Sequence, residues 1–419
     1  MKIKSSGSKK TKSLMIVLSF LGLYLISTGV SWAIFSYIKG EPIGGRSLEG
    51  IDKTRSEISD LPKTEECPLN GMMYSEPERG IWEERRPLAV IIENSHEARP
   101  VEGLHRADIV YEAVAEGGIT RFMGVFYCGA SAENVRLAPI RSARIYFINW
   151  AAEYGKNPIF THVGGANNFC ATCFGNVKPR GQVDPRVMAL EELVDLGWRV
   201  RGGNDFDTTF DSGYPVFKRD PERLNGYLED GETLATEHTV TSYTDDLFSQ
   251  AAERGYNYAD SDGAAWNEDF RSWKFKDGSA STSPTANEIS FGFWEDSEVF
   301  GDLYDVTWKY DSSENIYKRE IGGEPQVDRI TEEQFVASNV VVQLLDEYTG
   351  IDQEKHVFYD TISSGDALVF QNGDVIEGTW EKDSQLDRTI FYDEDGKEIE
   401  FVKGVIWIEA LPDGNTVNY

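Results

Sequence analysis

The sequence predicts a mixed α/β domain built around a hairpin and a β-α-β unit, then a mostly antiparallel β domain, all behind one N-terminal membrane helix. Three features lead there. The stretch "LMIVLSFLGLYLISTGVSWAIFSYI", residues 14–38, carries no charge. From Pro87 to Asn168 strand-like and helix-like patterns alternate. Beyond residue 288 only short strand-like runs occur, separated by turns such as Asn372-Gly373 and Asp395-Gly396.

At the N-terminus, residues 1–13 form a basic tail with Lys2, Lys4, Lys9, Lys10 and Lys12 and no acid. The uncharged run that follows exceeds the roughly 20 residues that cross a bilayer as a helix. Lysines ahead of such a run stay in the cytoplasm, so the bulk of the chain is expected outside, single-pass and anchored in the cell membrane. The rival is a cleaved signal peptide ending near Ser31–Ala33, for which the apolar run is too long. Residues 39–84 mix Gly, Pro and charge without an apolar period and read as a stalk.

The formal net charge of −30 argues against nucleic acid as a bulk partner, because binding a phosphate backbone wants a basic surface. Four cysteines, Cys67, Cys128, Cys170 and Cys173, fit disulfides in an exported chain, with three connectivities open.

The α/β domain is expected over residues 85–274. "RPLAVIIEN" is an apolar strand ended by Asn94. "DIVYEAVAEGGITRFMGVFY" reads as a hairpin turning at Gly117-Gly118. That turn pairs Glu116 with Ile119, Val114 with Arg121 and Glu112 with Met123. Arg121 then lies between Glu112 and Glu116 on one face, with Tyr111, Phe122 and Phe126 on the core face. "VRLAPI" is a short strand, Ser142 the expected N-cap, "ARIYFINWAAEYG" a helix stopped by Gly155, and "NPIFTHVGGANN" the next strand with its exit loop. This unit makes Arg141 and His162 neighbours at strand carboxyl ends, where open α/β sheets bind ligands. Residues 275–288 have linker composition, and 289–419 form the β domain.

Between Pro87 and Gly155 every basic residue other than histidine is arginine: Arg99, Arg106, Arg121, Arg136, Arg141 and Arg144. Arginine's planar fork suits bidentate carboxylate or phosphate, buried or at an interface. Arg141 and Arg144 flank the expected helix N-terminus, which itself favours an anion. The candidate ligand-binding set is therefore Arg121, Arg141, Arg144, Glu112, Glu116, His162, Asn94 and Arg99. The competing account is an internal ion-pair network that sets sheet register.

The string from "RPLAVIIENSHEARP" to "GGITRFMGVFY", with "PIRSARIYF" and "THVGG", resembles the YerB family of exported bacterial proteins. The last third, through "NVVVQ", "GTWEK" and "GVIWIE", resembles that family's C-terminal domain. Members are usually lipoproteins of undefined activity, so the resemblance implies an envelope location and no reaction. Two departures stand out. An uncharged helix replaces the lipobox, and the family's Pro-His-Asn motif appears as "EHT" at Glu237 to Thr239, which puts a role for His238 in doubt.

No nucleophile elbow, Walker loop, dinucleotide fingerprint or HExxH motif occurs. The reading favoured is therefore a membrane-anchored envelope protein that binds an anionic or carbohydrate ligand, or a protein partner. The alternative is an enzyme on a phosphorylated or glycan envelope precursor, with Mg²⁺ on the carboxylates. No other cofactor is evident.

Overall fold

Two mostly apolar runs, "NVVVQLL" and "IWIEALP", dictate the architecture, since a strand apolar on both faces must be covered on both. The computed structural model describes residues 55–169, 183–229, 231–260, 262–294 and 301–419. The expected basic tail and membrane helix, Cys170 and Cys173 lie outside these residues. Among the described residues no helix is long and apolar enough to cross a membrane.

The chain from residue 55 is folded, unlike the stalk expected up to 84. Helix α1 (Arg55–Ile58) leads to strands β1 (Lys63–Glu66) and β2 (Met73–Ser75) and to helix α2 (Glu76–Trp82). The signal was a capping box: Ser75 and Glu78 satisfy each other's backbone N–H groups at the start of α2. A Cys67–Cys128 disulfide ties this segment to the end of the hairpin. Beside it Asp108 accepts from the Asn70 side chain at 2.9 Å and from the Tyr127, Cys128 and Gly129 amides at 2.7, 2.9 and 3.0 Å.

The next strands are β3 (Leu88–Glu93), β4 (Ile109–Glu116), β5 (Ile119–Phe126), β6 (Arg136–Leu137), β7 (Ile159–His162), β8 (Asp205–Asp207), β9 (Lys218–Arg219) and β10 (Val240–Tyr243). Helices α3 (Ile145–Ala151), α4 (Ala189–Asp195) and α5 (Thr244–Glu253) lie among them. Then come β11 (Phe275–Lys276), β12 (Glu288–Phe291), β13 (Val306–Asp311), β14 (Ile316–Ile321), β15 (Glu324–Pro325) and β16 (Val336–Ala337). The last are β17 (Asn339–Leu345), β18 (Glu347–Tyr348), β19 (Phe358–Tyr359), β20 (Ser364–Gln371), β21 (Asp374–Glu381), β22 (Ile390–Asp393), β23 (Phe401–Val402) and β24 (Ile406–Pro412). The described chain is thus mostly β with a few short helices.

One sheet of ten strands runs β22-β21-β20-β17-β24-β4-β5-β3-β7-β8. Its centre is a parallel seam in which β24 lies between β17 and β4. The antiparallel strands of the last third therefore continue the sheet of the first third. The 275–288 segment packs along it: Ala286 is buried, and its N–H and that of Ser281 donate to Gly373 and Asn372 carbonyls at 2.9 Å. A second antiparallel sheet, β12 to β16, covers one face, where Trp407 meets Trp308 edge-on at 5.3 Å and Phe122 at 5.5 Å. Helix α3 covers the other face, with Trp150 stacked on Tyr111 at 5.1 Å.

Three local expectations change. The hairpin does turn at Gly117-Gly118 and pairs Glu116 with Ile119, but the register shifts between Val114 and Glu116. Val114 then pairs with Thr120, Ala113 with Arg121 and Glu112 with Phe122. A bulge moves every later residue by one, so Glu112 and Phe122 share a face opposite Arg121 and Tyr111. The helix starts at Ile145 with Arg144, not Ser142, as N-cap. Finally, Arg136–Leu137 pairs with β10 outside the large sheet. β3 and β7 pair only as far as Val90 and Thr161 and then part. Residues 139–143 enter the gap: Arg141 N–H donates to Ile91 O, and Val163 N–H to Arg141 O, both at 3.0 Å.

Between the sheets Arg319 lies within 5.7 Å of the Phe122, Trp308 and Trp407 ring centres and is paired with Glu112, all of it closed to solvent. Arg319→Ala would leave a buried carboxylate without its cation. The expected loss is about 3–5 kcal/mol, read as a lower urea midpoint, and Glu112→Gln in the same chain should return part of it.

Candidate functional site

Three of the predicted arginines converge. Arg121, on β5, points to the α3 side, and Arg144 reaches the same point from the start of α3. Both guanidinium groups bond one oxygen of Glu116, Oε1, Arg144 at 2.8 Å. Arg121 and Arg144 are 3% and 4% exposed, whereas the Glu116 side chain is 44% exposed at the hairpin tip. Their remaining anchors are backbone: Arg121 donates to Ser142 O at 3.2 Å and Arg144 to Ala143 O at 2.9 Å. No hydrogen bond reaches Nε of either.

Arg141 stands beside them with 26% of its side chain exposed, its Nε 3.1 Å from Glu93 Oε1. Glu93, the last residue of β3, is shared: His238 Nδ1 lies 2.6 Å from its other oxygen. His238 Nε2 faces the exposed Glu97 at 3.7 Å. Three guanidinium groups thus meet two carboxylates, an excess of positive charge in an acidic chain. The electrostatics follow from that density. Burial alone would raise the Glu116 carboxyl, but Arg144 and Arg121 hold it down at about 2. Burial and the nearby Arg144 push Arg121 down to about 10. For Glu93, burial is outweighed by His238 and Arg141, and its pKa falls.

Glu112 is not part of this group. The bulge turns it to the opposite face, where it pairs with Arg319 and accepts from Asn94 Nδ2 at 2.9 Å and Thr120 Oγ1 at 2.5 Å. Its strand neighbour Glu409 accepts from Trp308 Nε1 at 2.9 Å. Burial and then the Glu112 charge push the Glu409 carboxyl far up. Glu112 and Glu116, on opposite faces, do not form a pair that could hold one Mg²⁺. Asn94 links Glu112 to Gln326, whose amide donates to it at 3.0 Å. Arg99 braces the loop, donating to Asn94 Oδ1 at 3.1 Å and to Leu303 O at 2.9 Å over the Tyr304 ring.

His162 is also elsewhere in function. Fully buried, it contacts Asp205 Oδ1 at 2.6 Å and Gly164 O at 2.8 Å, and Arg199 joins Asp205 and Asp207 at 2.6 and 3.0 Å. Both ring nitrogens are taken by this internal network. Helix α3 has seven residues, so the dipole at its N-terminus is that of a short helix. The Arg141 and Ala143 N–H groups donate to Ile91 O and Gly164 O. Sequence reasoning missed Glu93 and left a role for His238 in doubt. A charged residue closing the unbroken apolar run 88–92 was the available signal for Glu93. The motif at Glu237 to Thr239 marks His238 but not its partner, because Glu93 lies 145 residues away.

Arg144→Ala removes an enclosed side chain with two anchors, and the expected loss is roughly 1–3 kcal/mol. Arg141→Ala leaves Glu93 still paired with His238, and its stability should stay within about 1 kcal/mol of the parent. Urea unfolding of the two variants checks the contrast. Equal large losses would make Arg141 scaffolding as well.

Two family models match the chain: "Protein of unknown function (DUF3048) N-terminal domain" over residues 69–179 and the DUF3048 C-terminal domain over 298–408. YerB of Bacillus subtilis (strain 168), named as a candidate lipoprotein, is 30% identical over 360 residues, covering 86% of this chain and 90% of its own. The crystal structure of the Bacillus subtilis YerB protein matches with a TM-score of 0.61 at 25% identity, over 85% of this chain and 100% of that one. The shared sequence spans both the arginine cluster and the strands that support it, and the chain belongs to the YerB family of two-part DUF3048 proteins.

Proposed function

We propose that this is a membrane-anchored, extracytoplasmic protein of the cell envelope that binds an anionic group, carboxylate or phosphate, carried by an envelope glycan or a partner protein. The observation that carries the reading is the convergence of Arg121, Arg141 and Arg144 beyond the carboxyl ends of β3 and β7. Two near-buried guanidinium groups and one partly exposed one form a rigid fork. The charge excess needs an oxyanion, and the surrounding acidic surface disfavours adsorption of polyanions elsewhere.

Three facts support the location: the lysine-led uncharged run at residues 14–38, the relative's name as a candidate lipoprotein, and the Cys67–Cys128 disulfide, which suits an oxidising compartment. The anchor differs from a lipid in chemistry but holds the folded part on the same side of the membrane.

Calorimetric titration of the full chain in detergent tests the binding. Pyrophosphate or D-glucuronate should bind saturably without added metal, and binding should weaken as salt shortens the Debye length towards about 8 Å at 0.15 M. Arg141→Ala should abolish it. Heat signals that need Mg²⁺, or that survive Arg141→Ala, would overturn the reading.

The location has its own check. Protease added to intact cells should remove the bulk of the chain and leave a short membrane-bound remnant. Protection until the membrane is opened would reverse the topology.

A further inference from the structure

Glu116 holds an unusual position among the ion pairs of the site. It is more exposed than any of the three arginines or Glu93, yet its one oxygen Oε1 serves two guanidinium groups that are almost closed to solvent. Neither Arg121 Nε nor Arg144 Nε has a hydrogen-bond partner, so the arginines have donor capacity that Glu116 does not use. The other carboxylate, Glu93, is committed to Arg141 and His238 on a rigid strand. Glu116, by contrast, is the last residue of β4, set between the bulge and a turn at Gly117 and Gly118, both with positive φ. Gly117 is exposed and a Cβ added there would meet nothing within 4 Å, so open space adjoins Glu116 at the tip, while Gly118 is buried and the turn backbone stays packed.

We infer that Glu116 is a built-in stand-in for the ligand's anion, a displaceable cap that neutralises Arg121 and Arg144 until a carboxylate or phosphate takes its place. This deepens the anion-binding reading and rests on it. The arrangement has a physical reason. Buried guanidinium groups this close repel one another through a medium of low dielectric, and an empty site would destabilise the fold. A tethered carboxylate removes that repulsion, and its high effective concentration keeps weak environmental anions out. Only a ligand that offers more than one oxygen, and so fills the unused donors, competes well. A phosphate has three oxygens for the fork and a uronate carboxylate has two, with hydroxyl groups beside it. No bond is made or broken in the exchange. Glu116 moves into water, where a carboxylate on an exposed hairpin tip is readily solvated.

The test compares Glu116→Gln with the parent, both as full chain in detergent, using inorganic phosphate, D-glucuronate and, as neutral control, D-glucose. The amide keeps the shape and loses the charge. At low salt Glu116→Gln should melt below the parent and recover with phosphate or glucuronate, but not with the same ionic strength of chloride. Its dissociation constant for at least one of the two anions should be at least tenfold lower than the parent's, and which anion gains more separates a phosphate ligand from a carboxylate one. Glucose should do nothing in either chain. If Glu116→Gln does not fold, Glu116→Asp keeps the charge on a side chain one methylene too short to serve both arginines, and should show a smaller gain in the same direction. Unchanged or weaker anion binding in these variants, with parent binding that still needs Arg141, would overturn the stand-in role and leave the binding site. Absence of binding in parent and variants alike would overturn both.

Discussion

The buried Arg319 guanidinium is the interaction on which the rest of the structure depends. It lies between the two sheets among Phe122, Trp308 and Trp407, pairs with Glu112 of β4, and has its Nε 3.5 Å from Glu409 of β24. Those two glutamates are register partners on adjacent parallel strands. One cation therefore fixes three things at once: which strand enters the centre of the sheet, in which register, and which face the second sheet covers. A one-residue slip of β24 would turn Glu409 to the α3 side, away from Arg319. The aromatic walls explain why arginine rather than lysine holds the position, since a flat guanidinium stacks where an ammonium would need water.

The same cluster reaches the candidate site through one residue. Asn94 donates to Glu112 and Thr120 and receives Gln326 and Arg99. Glu93, its neighbour, turns to the other face and holds Arg141 and His238. The end of β3 is thus pinned from below by the core network while it presents a carboxylate above. A second clasp stiffens the surrounding loops: buried Glu102 pairs with Arg136 at 2.7 Å, Arg223 at 3.2 Å and Arg329 at 2.6 Å. These arginines come from the first third, the middle and the last third of the chain. Such pairing stabilises less than its geometry suggests, because each ion gives up water, but it specifies strongly which loops meet.

The arginines of the arginine-only stretch fall into separate groups. Arg136 belongs to the Glu102 clasp, and Arg99 braces the loop after β3. Arg121, Arg141 and Arg144 form the group with excess positive charge. Similar chemistry appears in the histidines. His105, His162, His238 and His356 each hold a carboxylate within 2.9 Å, and three of these pairings look inward to structure. Only at Glu93 does the partner carboxylate also face the arginine group.

Local chemistry determined much of this from the sequence alone. Paired glycines place the hairpin turn wherever the chain goes afterwards, since Gly117 and Gly118 adopt positive φ at no steric cost. Apolar runs set strands, and Arg141 and Arg144, three residues apart after a strand, stay close in any fold. The family resemblance was legible for the same reason, being carried by contiguous strings. Tertiary structure decided what contiguous strings cannot encode. A single bulged residue, Ala115, reversed the face of Glu112 relative to Arg121, because side-chain direction alternates along a strand and one extra residue inverts all that follows. The partner of Glu112 lies 207 residues away and that of Glu93 lies 145 away, so only folding could bring them together. The last strand, β24, entered the middle of the sheet rather than a separate domain, because a strand apolar on both faces is stable only where both faces are covered.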